Sequence, residues 1–474
     1  MLDLMINLMI VQILMGAFDT IYHHEIKVAL PQSAGAGLEL SIHAIRALLY
    51  SVVFMGLAWY QWGGVWVWVL VSIVLAEVML TLWDFVIEDT TRLLPKSERI
   101  THTLLAINGG AVFVLLATEL PQWLALSSAF YDVHYGWRSW FLTAGATGVG
   151  VSGVRDAFSA WTVQRLDLKL QLDLGTHRRL LVSGGTGFIG SALIRELLHQ
   201  SHDVTVVSRH PVAAAIQFQG KVRAVRHASE LDSSEQFDVI VNLAGAPVVG
   251  LPWSQQRKKI ITDSRLDSTR DLMAYVKSCQ QKPQLWIQAS AIGYYGTDSQ
   301  QIHDEASPSG DGFAADLCRQ WEALARELDD LSIRRVTLRF GLVFGRSGGS
   351  LPMMLLSYKM GMGTVIGHGR QYMGWIHIED LLRLIALSVR DESMQGDYNA
   401  VTPDSPTYHQ FAQLAAHMLH RPVWFSIPEG LLRKLLGEMA SMFVDGPRIM
   451  PCRLEQNKFE YRFPDLRSAL MDLT

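Results

Sequence analysis

The sequence is poor in cysteine and has no excess of positive charge, and each shortage excludes a class of protein. The 474 residues include three cysteines, Cys279, Cys318 and Cys452, which lie far apart and show no metal-ligand spacing. We therefore expect reduced thiols in a cytosolic domain, not a disulfide framework. The formal net charge of −4 argues against nucleic-acid binding, which needs clustered positive charge to neutralise phosphates.

Charged residues are also scarce before residue 161, where apolar runs dominate. Four stretches of about 20 residues are long enough to cross a hydrocarbon core of roughly 30 Å. They are 2–22, 42–60, 65–87 and 103–120. A fifth, 140–154, is shorter and glycine-rich. The first lacks the basic start and cleavage site of a signal peptide, so it should remain as a helix. The pattern predicts an all-α transmembrane bundle of four to five helices over 1–160 and a linker over 161–177.

Lysine and arginine are distributed unevenly between the loops of this bundle. With five crossings, one side of the membrane receives Arg138 alone, and the other receives most of the basic residues. The basic residues of that other side are Lys27, Arg92, Lys96, Arg99, Arg155, Arg165, Lys169, Arg178 and Arg179. By the positive-inside rule this side is cytoplasmic. We therefore expect an integral protein of the cytoplasmic membrane whose part after residue 155 lies in the cytoplasm.

Acidic and histidine side chains gather at the predicted cytoplasmic helix ends. They are Asp19, His23, His24, His43, Asp84, Glu88 and His102. Carboxylates and imidazoles that project inward from four helices build di-iron and di-manganese sites. Candidate ligands of iron or manganese are His23, His43, Asp84, Glu88 and His102. Two alternatives stay open: a quinone or lipid pocket, or polar helix ends solvated at headgroup level, with the deeper Glu77 paired to a neighbour.

A strand predicted over 178–183 is followed by glycines at G-x-x-G-x-x-G spacing and then by a helical pattern over 191–199. Glycine permits the tight turn and lets the backbone approach a pyrophosphate, while the helix N-terminus supplies N–H donors to the phosphates. The candidate phosphate-binding residues are Gly184, Gly185, Thr186, Gly187, Phe188, Ile189 and Gly190. The strand before the turn and the helix after it favour a dinucleotide-binding domain over a chance match.

The second predicted strand, 203–207, ends in Ser208 and Arg209. An NAD-selective site places an acidic residue here for the ribose 2′-hydroxyl, whereas arginine offers a cationic fork for a 2′-phosphate. Ser208 and Arg209 therefore favour NADP(H) as the cofactor. The alternative is a solvated surface arginine.

Six motifs then follow in order along the chain. They are Gly-Gly-Thr-Gly-Phe-Ile-Gly190, Asn242-Leu-Ala-Gly245, Ser264-Arg265, Ser290-Ala-Ile-Gly-Tyr-Tyr-Gly296, Gly367-His-Gly-Arg-Gln-Tyr372 and Trp375-Ile-His-Ile-Glu-Asp380. On these motifs the chain resembles the short-chain dehydrogenase/reductase superfamily, extended or atypical type, and most closely the epimerase family of nucleoside-diphosphate-sugar epimerase-like proteins. The resemblance covers about Arg178 to Leu473 and leaves the membrane third as an extra module.

The resemblance implies an α/β doubly wound (Rossmann) parallel sheet over 178–420 with NADP across the strand ends, and a small C-terminal domain over 421–474. It implies that Leu243 and Ala244 lie on the adenosine side of the cofactor and that Asn242, Gly245 and Ser290 also belong to the cofactor-binding residues. Arg265 would reach back from the following helix, and Val343 would flank the nicotinamide. Packing alone is the alternative role for each of these side chains, most plausibly for Leu243 and Val343.

The catalytic pair of this superfamily is missing from its place. Its enzymes use Tyr-x-x-x-Lys, in which the tyrosine exchanges a proton with the substrate oxygen and the lysine lowers the tyrosine pKa. No tyrosine or lysine occurs between Gly296 and Arg335, and Ala314 and Cys318 occupy the corresponding positions. The candidate catalytic residues that remain are Ser290, Tyr294 and Tyr295. Packing of a tyrosine against the nicotinamide is the alternative role.

Three hypotheses of function follow. The first is a membrane-anchored, NADP-dependent oxidoreductase or epimerase-like enzyme that acts on a small carbonyl or hydroxyl substrate, with the glycine-rich loop 359–372 closing over the ligand. The second is a non-catalytic NADP-binding redox sensor, which the missing Tyr/Lys pair favours. The third is a membrane metal or quinone redox module that the soluble domain supplies with reducing equivalents.

Overall fold

The computed structural model describes residues 1–27, 37–91, 96–166, 170, 172–250, 252–297, 301–346, 348–359 and 361–474. The chain forms two compact units, Met1–Lys169 and Leu170–Thr474, which are described separately. Of the residues used above for the membrane orientation and the polar cluster, Arg92 and Lys169 lie outside the described residues, as do the side chains of His24, Lys27, Lys96 and Arg165.

The first unit consists of long helices with two short strands between them. The helices are α1 (Leu2–Phe18), which continues into a π-helix (Asp19–Lys27), α2 (Gly37–Trp59), α3 (Trp66–Thr91), α4 (Lys96–Leu124) and α5 (Trp137–Leu166). The strands are β1 (Tyr60–Trp62) and β2 (Phe130–Asp132), which pair antiparallel. Four helical segments, Leu2–His23, Gly37–Trp59, Trp66–Glu88 and Ser97–Leu124, are long and apolar enough to cross a membrane. The helices predicted from the four apolar stretches are therefore present.

The fifth helix is longer than the predicted 140–154, and its glycines explain its lower hydropathy. A Cβ atom at Gly153 would lie 2.9 Å from the Cβ of Ala47, and one at Gly150 would lie 2.9 Å from the Oγ of Ser51. Both contacts belong to α2, so α5 packs closely along α2 through its small residues, as helices in membranes commonly do. The helix also runs through residues 161–166, which the sequence assigned to a linker.

The second unit contains the remaining strands and helices. The strands are β3 (Arg179–Ser183), β4 (Asp203–Val207), β5 (Arg223–Val225), β6 (Val239–Asn242), β7 (Leu285–Ala291), β8 (Ile302–His303), β9 (Arg334–Phe340), β10 (Leu342–Phe344), β11 (Gly363–Ile366), β12 (Trp375–His377), β13 (Gly396–Ala400), β14 (Val423–Ile427) and β15 (Arg448–Ile449). The helices are α6 (Phe188–His199), α7 (Pro211–Gln217), α8 (Gln255–Ser278), α9 (Phe313–Arg326), α10 (Leu351–Lys359), α11 (Ile378–Arg390), α12 (Tyr408–Met418), α13 (Glu429–Leu436), α14 (Ser441–Val444), α15 (Cys452–Gln456) and α16 (Leu466–Leu473).

Seven strands form one sheet in the order β13-β9-β7-β6-β3-β4-β5, and every pair in it is parallel. Parallel strands covered by helices on both faces are buried, which is why β3, β6 and β7 consist largely of buried apolar residues. The order reverses direction between β3 and β6. In such doubly wound sheets, ligands bind beyond the carboxyl ends of the strands at this point. The predicted parallel Rossmann sheet is confirmed.

The C-terminal residues are joined to the rest of the second unit by shared strands. β14 pairs with β11 and β15 pairs with β8, both in parallel. These strand pairs join residues on the two sides of the predicted boundary at residue 420, and the loop predicted over 359–372 contains β11. Leu172 and Leu174, within the predicted linker, are buried in the core of the sheet.

Candidate functional site

In the turn after β3, backbone segments approach each other so closely that no side chain fits between them. Gly184 has a φ of +70°, and a Cβ atom there would lie 2.6 Å from the carbonyl carbon of Leu243. A Cβ atom at Gly190 would lie 2.4 Å from the carbonyl oxygen of Gly184. Glycine is required at both positions by these contacts and, at Gly184, by the positive φ. The prediction of a tight turn here rests on the same physical reason.

Helix α6 starts directly after this turn. Gly187 is its N-cap and donates its N–H to the carbonyl oxygen of Gly184 at 3.0 Å. Gly187 and the neighbouring Thr186 are exposed, so the first backbone N–H groups of α6 border an open crevice. The N-terminus of a helix supplies donors and a positive dipole end to a phosphate.

Phe188 is half-buried and fixes the far side of the same turn. A Cβ atom at Gly345 would lie 2.4 Å from Cζ of Phe188, and one at Gly348 would lie 2.4 Å from its Cδ2. The ring therefore fills a space that glycines leave open in the segment after β10. Ile189 packs against the core of the sheet. Phe188 and Ile189 position the turn through packing, while the glycines leave its backbone accessible.

Ser208 and Arg209 lie at the end of β4, as predicted. The N–H of Ser208 donates to the carbonyl oxygen of Val225 at 2.9 Å, which extends the β4–β5 ladder by one residue. The Oγ of Ser208 accepts from the N–H of His210 at 3.3 Å. Arg209 is exposed. It directly follows the strand end at which dinucleotides place their ribose in this fold.

The end of β6 faces the phosphate turn across the strand reversal. The peptide between Leu243 and Ala244 is the group that a Cβ atom at Gly184 would strike. Asn242 is fully buried, and its side chain bonds with Ser183 at 2.6 Å and with Gln288 at 3.0 Å. The Asn242 side chain therefore joins β3, β6 and β7 to one another. Leu243 and Ala244 form one wall of the crevice.

Arg265 reaches back from α8 to this wall, as the resemblance implied. A Cβ atom at Gly245 would lie 2.8 Å from Cζ of Arg265, and the guanidinium donates to the carbonyl oxygens of Ala246 at 3.1 Å and Ile261 at 3.0 Å. Burial lowers the pKa of Arg265. The guanidinium holds the β6 turn in place.

The side chain of Ser290 is hydrogen-bonded to a buried ionic network that was not predicted from the sequence. Its Oγ donates to Oε1 of Glu322 at 2.7 Å. Glu322 is fully buried and accepts two hydrogen bonds from Arg339, each at 2.9 Å. Burial alone would lower the pKa of Arg339, but the hydrogen bonds and charge of Glu322 outweigh it and raise that pKa. The Ser290 hydroxyl proton is therefore directed toward the network.

The two candidate tyrosines differ sharply in their surroundings. Tyr295 is 1% exposed, and its hydroxyl donates to Asn399 at 2.7 Å and accepts from Arg339 at 2.8 Å. Burial raises the pKa of Tyr295 to about 12, against the lowering effect of Arg339. Tyr294 is half-buried, and the Arg339 guanidinium lies 3.7 Å from its ring centroid. This placement disfavours Tyr295 as a proton donor to a substrate, and the acid role stays a prediction for Tyr294.

Small side chains occupy the positions of the missing catalytic pair. A Cβ atom at Gly293 would lie 3.2 Å from Cβ of Ala314, so α9 packs directly on the turn 292–295. Cys318 is buried one helical turn further, with its Sγ 3.7 Å from the carbonyl oxygen of Ala291. Burial raises the pKa of the Cys318 thiol to about 11. The helix is thus in place beside Ser290, with a methyl group and a buried, protonated thiol where the superfamily has tyrosine and lysine.

Val343 lies in β10 and pairs with Ile376 of β12. Its side chain is 8% exposed and belongs to the core cluster, and its carbonyl oxygen accepts from the N–H of Ser350 at 3.3 Å. The packing role considered for Val343 is therefore present, while a contact with the nicotinamide stays a prediction.

The motif that ends in Asp380 follows β12. Asp380 accepts from the N–H groups of Arg462 at 2.7 Å and Phe463 at 2.9 Å, which ties α11 to the C-terminal segment.

In the first unit, the structure brings the five candidate metal ligands to one end of the helices. His43 Nε2 lies 3.1 Å from Asp84 and 3.9 Å from Glu88. His102 lies 3.2 Å from Glu88 on one ring nitrogen and 3.0 Å from Asp19 on the other. His23 is fully buried and bonds with Asp19 at 2.8 Å, so it belongs to the edge of this cluster. The sequence missed Glu39 and Glu98, which lie beside His43 and His102.

The parallel doubly wound sheet, the glycine turn at its strand reversal and the arginine after β4 define an extended short-chain dehydrogenase/reductase fold with a nicotinamide-dinucleotide site. Residues 180–400 match the NAD dependent epimerase/dehydratase family, and residues 427–473 match a domain of unknown function, DUF1731. Epimerase family protein SDR39U1 of Mus musculus is 37% identical over 301 residues, which cover 62% of this chain and 99% of that protein. Epimerase family protein YfhF of Bacillus subtilis (strain 168) is 36% identical over 299 residues, which cover 62% of this chain and 97% of that protein.

A solved structure supports the same family assignment. The crystal structure of human epimerase family protein SDR39U1 (isoform 2) with NADPH has 34% sequence identity and a TM-score of 0.57, and the match covers 62% of this chain and 98% of that one. The chain therefore belongs to the epimerase family of extended short-chain dehydrogenases/reductases.

Proposed function

We propose that this protein is a membrane-anchored, NADP-dependent oxidoreductase or epimerase-like enzyme that acts on a small carbonyl or hydroxyl substrate. The observation that carries the proposal is the turn Gly184 to Gly190, whose close backbone contacts leave the α6 N-terminus open to a phosphate. The bound NADPH of the human relative supports the choice of cofactor. NADP(H) would supply or accept the hydride, and residues of this chain would bind it and position the substrate.

The residues present fit this cofactor. The glycine turn would hold the pyrophosphate, Arg209 the 2′-phosphate, and the Leu243–Ala244 wall the adenosine side. Tyr294 is the side chain best placed to exchange a proton with a substrate, because its ring borders the Ser290 turn and Ser290 and Tyr295 direct their hydroxyl protons into the buried network. The Arg339 guanidinium, 3.7 Å from the Tyr294 ring centroid, would hold this ring in place.

The test measures binding of NADPH and NADH to the full-length chain in detergent. Arg209→Ala should weaken NADPH binding about tenfold or more, because a charge-assisted hydrogen bond contributes about 1.5–3 kcal/mol, and should leave NADH binding unchanged. Arg270→Ala is the matched control, since Arg270 is exposed on α8 and pairs only locally with Asp267. Equal losses for both cofactors, or no loss for NADPH, would contradict the proposed 2′-phosphate contact.

The second candidate function is a non-catalytic NADP-binding sensor. It is favoured by one observation, the buried Cys318 and the small Ala314 at the places of the catalytic lysine and tyrosine. The two candidates differ in turnover: an enzyme would oxidise NADPH with some member of a panel of small carbonyl compounds, and Tyr294→Phe would slow that reaction. If the protein is a sensor, the wild type and Tyr294→Phe should bind NADPH equally well, and both should oxidise it only at the background rate.

The membrane anchor is part of the proposal, with the bilayer as the partner of the first unit and the second unit in the cytoplasm. The outward surfaces of α3 and α4 support it, because their most exposed side chains are large and apolar. Examples are Leu75, Met79, Val86, Ile107 and Val114, each at least 60% exposed. Apolar surface of this extent is typical of a membrane or protein interface and is rare on soluble monomers.

A further inference from the structure

One end of the first unit repeats one arrangement on four helical segments. Each segment places an acidic residue four positions before a second ligand-type residue. The pairs are Asp19 and His23, Glu39 and His43, Asp84 and Glu88, and Glu98 and His102. In an α-helix this spacing puts both side chains on one face. Four such faces meet here, so the unit concentrates imidazoles and carboxylates in one place.

All five carboxylates of these pairs are buried, Asp19 and Asp84 among them. Glu39 is 2% exposed, and Glu88 and Glu98 are fully buried. An ionised carboxylate in an apolar interior is costly unless charged partners or metal ions compensate it. Buried carboxylates beside imidazoles therefore need compensation, from an ion-pair network or from metal ions.

The ligand atoms form two adjoining groups that share one residue. Glu39, His43 and Glu88 place one ligand atom each within 4.8 Å of one another, and Glu88, Glu98 and His102 do the same. The shared Glu88 lies between the two histidines. Its Oε1 is 3.9 Å from Nε2 of His43, and its Oε2 is 3.2 Å from Nδ1 of His102. The two oxygens of one carboxylate thus face two separate imidazoles, which is the orientation of a carboxylate that bridges two metal ions.

The surrounding residues position these ligands. Asp19 bonds with Nε2 of His102 at 3.0 Å, opposite the nitrogen that faces Glu88. A carboxylate on the second ring nitrogen is the usual partner of a metal-bound histidine, because it fixes the ring and its tautomer. Asp84 is held by Arg46 and lies 3.1 Å from Nε2 of His43, the nitrogen that also faces Glu88. His43 would therefore exchange its contact with Asp84 for the ion, and Asp84 would remain at the edge of the first group.

We propose that these two groups form a dinuclear site for divalent first-row transition ions, with Glu88 as the bridging carboxylate, Glu39 and His43 on one ion, and Glu98 and His102 on the other. Mixed carboxylate and imidazole donors suit iron and manganese, and inward-facing carboxylates and histidines from four helices are the way in which helical bundles bind such pairs. The site is independent of the NADP site in the second unit.

The experiment loads the detergent-purified full-length chain with Mn²⁺ alone and measures bound metal and its electron paramagnetic resonance spectrum. The wild type should bind about two Mn²⁺ ions per chain with the spectrum of a spin-coupled pair. Glu88→Gln should lose both ions. His43→Ala and His102→Ala should each lose one ion and convert the coupled spectrum into that of isolated Mn²⁺.

Two control variants are matched to these changes. Glu119→Gln and His134→Ala alter the same residue types outside the cluster in the same unit, and both should keep two ions. NADPH binding by each variant reports separately on the second unit. Mn²⁺ content of the wild type no higher than that of Glu88→Gln, or equal losses in the controls, would overturn the site. If Glu88→Gln fails to fold, the wild type decides the matter, because an uncoupled spectrum or less than one ion per chain would also overturn it.

Discussion

At the scale of single residues, Glu322 has an unusual position. It is a fully buried carboxylate that accepts from Ser290, forms a two-point ion pair with Arg339, and receives a further bond from Arg326 at 3.2 Å. The network continues through Arg339 to the Tyr295 hydroxyl. One charged residue therefore fixes the side chains that surround the expected reaction centre.

Replacing this carboxylate should destabilise the second unit strongly. Glu322→Gln removes the two-point partner of the buried Arg339 guanidinium and leaves it only the longer contact with Asp397 at 3.4 Å; breaking a buried pair in this way costs about 3–5 kcal/mol. The free energy of unfolding is measured by urea titration with a probe in the second unit. Glu327→Gln is the control, since its ion pair with Lys277 is about half exposed and contributes about 1 kcal/mol or less. Similar losses for both variants would mean that the network contributes little.

Single residues also show what spacing can and cannot predict. Gly184 and Gly190 were predicted because part of the need for glycine arises within one turn, from the positive φ of Gly184 and from the contact of Gly190 with the carbonyl oxygen of Gly184. Glu322 and Arg339 were not, because they are 17 positions apart on different elements and meet only through the fold. Glu39 and Glu98 had a visible signal, since each stands four residues before a histidine.

At the scale of elements, the motif that ends in Asp380 joins α11 to the C-terminal segment. His377 caps α11 by accepting from the N–H of Glu379 at 3.1 Å, and its ring lies 3.8 Å from that of Phe463 between centroids. Asp380 accepts from two successive backbone N–H groups of the same segment. The motif therefore anchors the last 15 or so residues of the chain to the Rossmann sheet.

Removal of one charge should release this anchor. Asp380→Asn would turn an acceptor oxygen into an NH₂ group that faces a backbone N–H, with a cost of about 2–3 kcal/mol. We expect faster proteolysis within the C-terminal segment, followed by gel electrophoresis, and a lower unfolding temperature. Glu392→Gln, at an exposed position just after α11, should change neither. Unchanged proteolysis in Asp380→Asn would show that side-chain packing alone holds the segment.

Elements also mark the limit of the sequence prediction. The strands β3 and β4 and the glycine turn between them followed from the residues, and the rest of the parallel sheet followed from the family resemblance. The strand β11 did not, because its glycine-rich neighbourhood indicated a loop and its partner β14 lies about 60 residues later. A short strand that pairs with a distant one leaves no periodic signal in the sequence. The segment 359–372 was therefore predicted to be a loop throughout, although it contains β11.

At the scale of the whole molecule, the matches to protein families lie within the second of the two units. The family models fall on 180–400 and 427–473, inside the second unit. The mouse relative matches over 99% of its own length with only 62% of this chain. A protein of about the size of the second unit therefore suffices for the epimerase-family fold, and the helical unit is an addition to it.

This division predicts that the two units can be separated. The fragment Leu170–Thr474 should fold in water without detergent and bind NADPH within about twofold of the full-length chain, because a domain with its own core folds alone. The full-length chain should remain with the membrane fraction after alkaline carbonate extraction, since its first unit exposes large apolar side chains. Binding is measured by NADPH fluorescence and solubility by sedimentation.

NADPH binding by the fragment and carbonate extraction of the full-length chain test two separate expectations. A soluble fragment with tenfold weaker NADPH binding would show that the first unit contributes to the cofactor site, either by contact or by restraining the loops around it. Release of the full-length chain by carbonate would contradict the membrane anchor and leave its apolar helices to be covered by protein. If both expectations hold, Mn²⁺ binding by the full-length chain and its absence from the fragment would assign the metal to the helical unit alone, because the proposed ligands all precede residue 103.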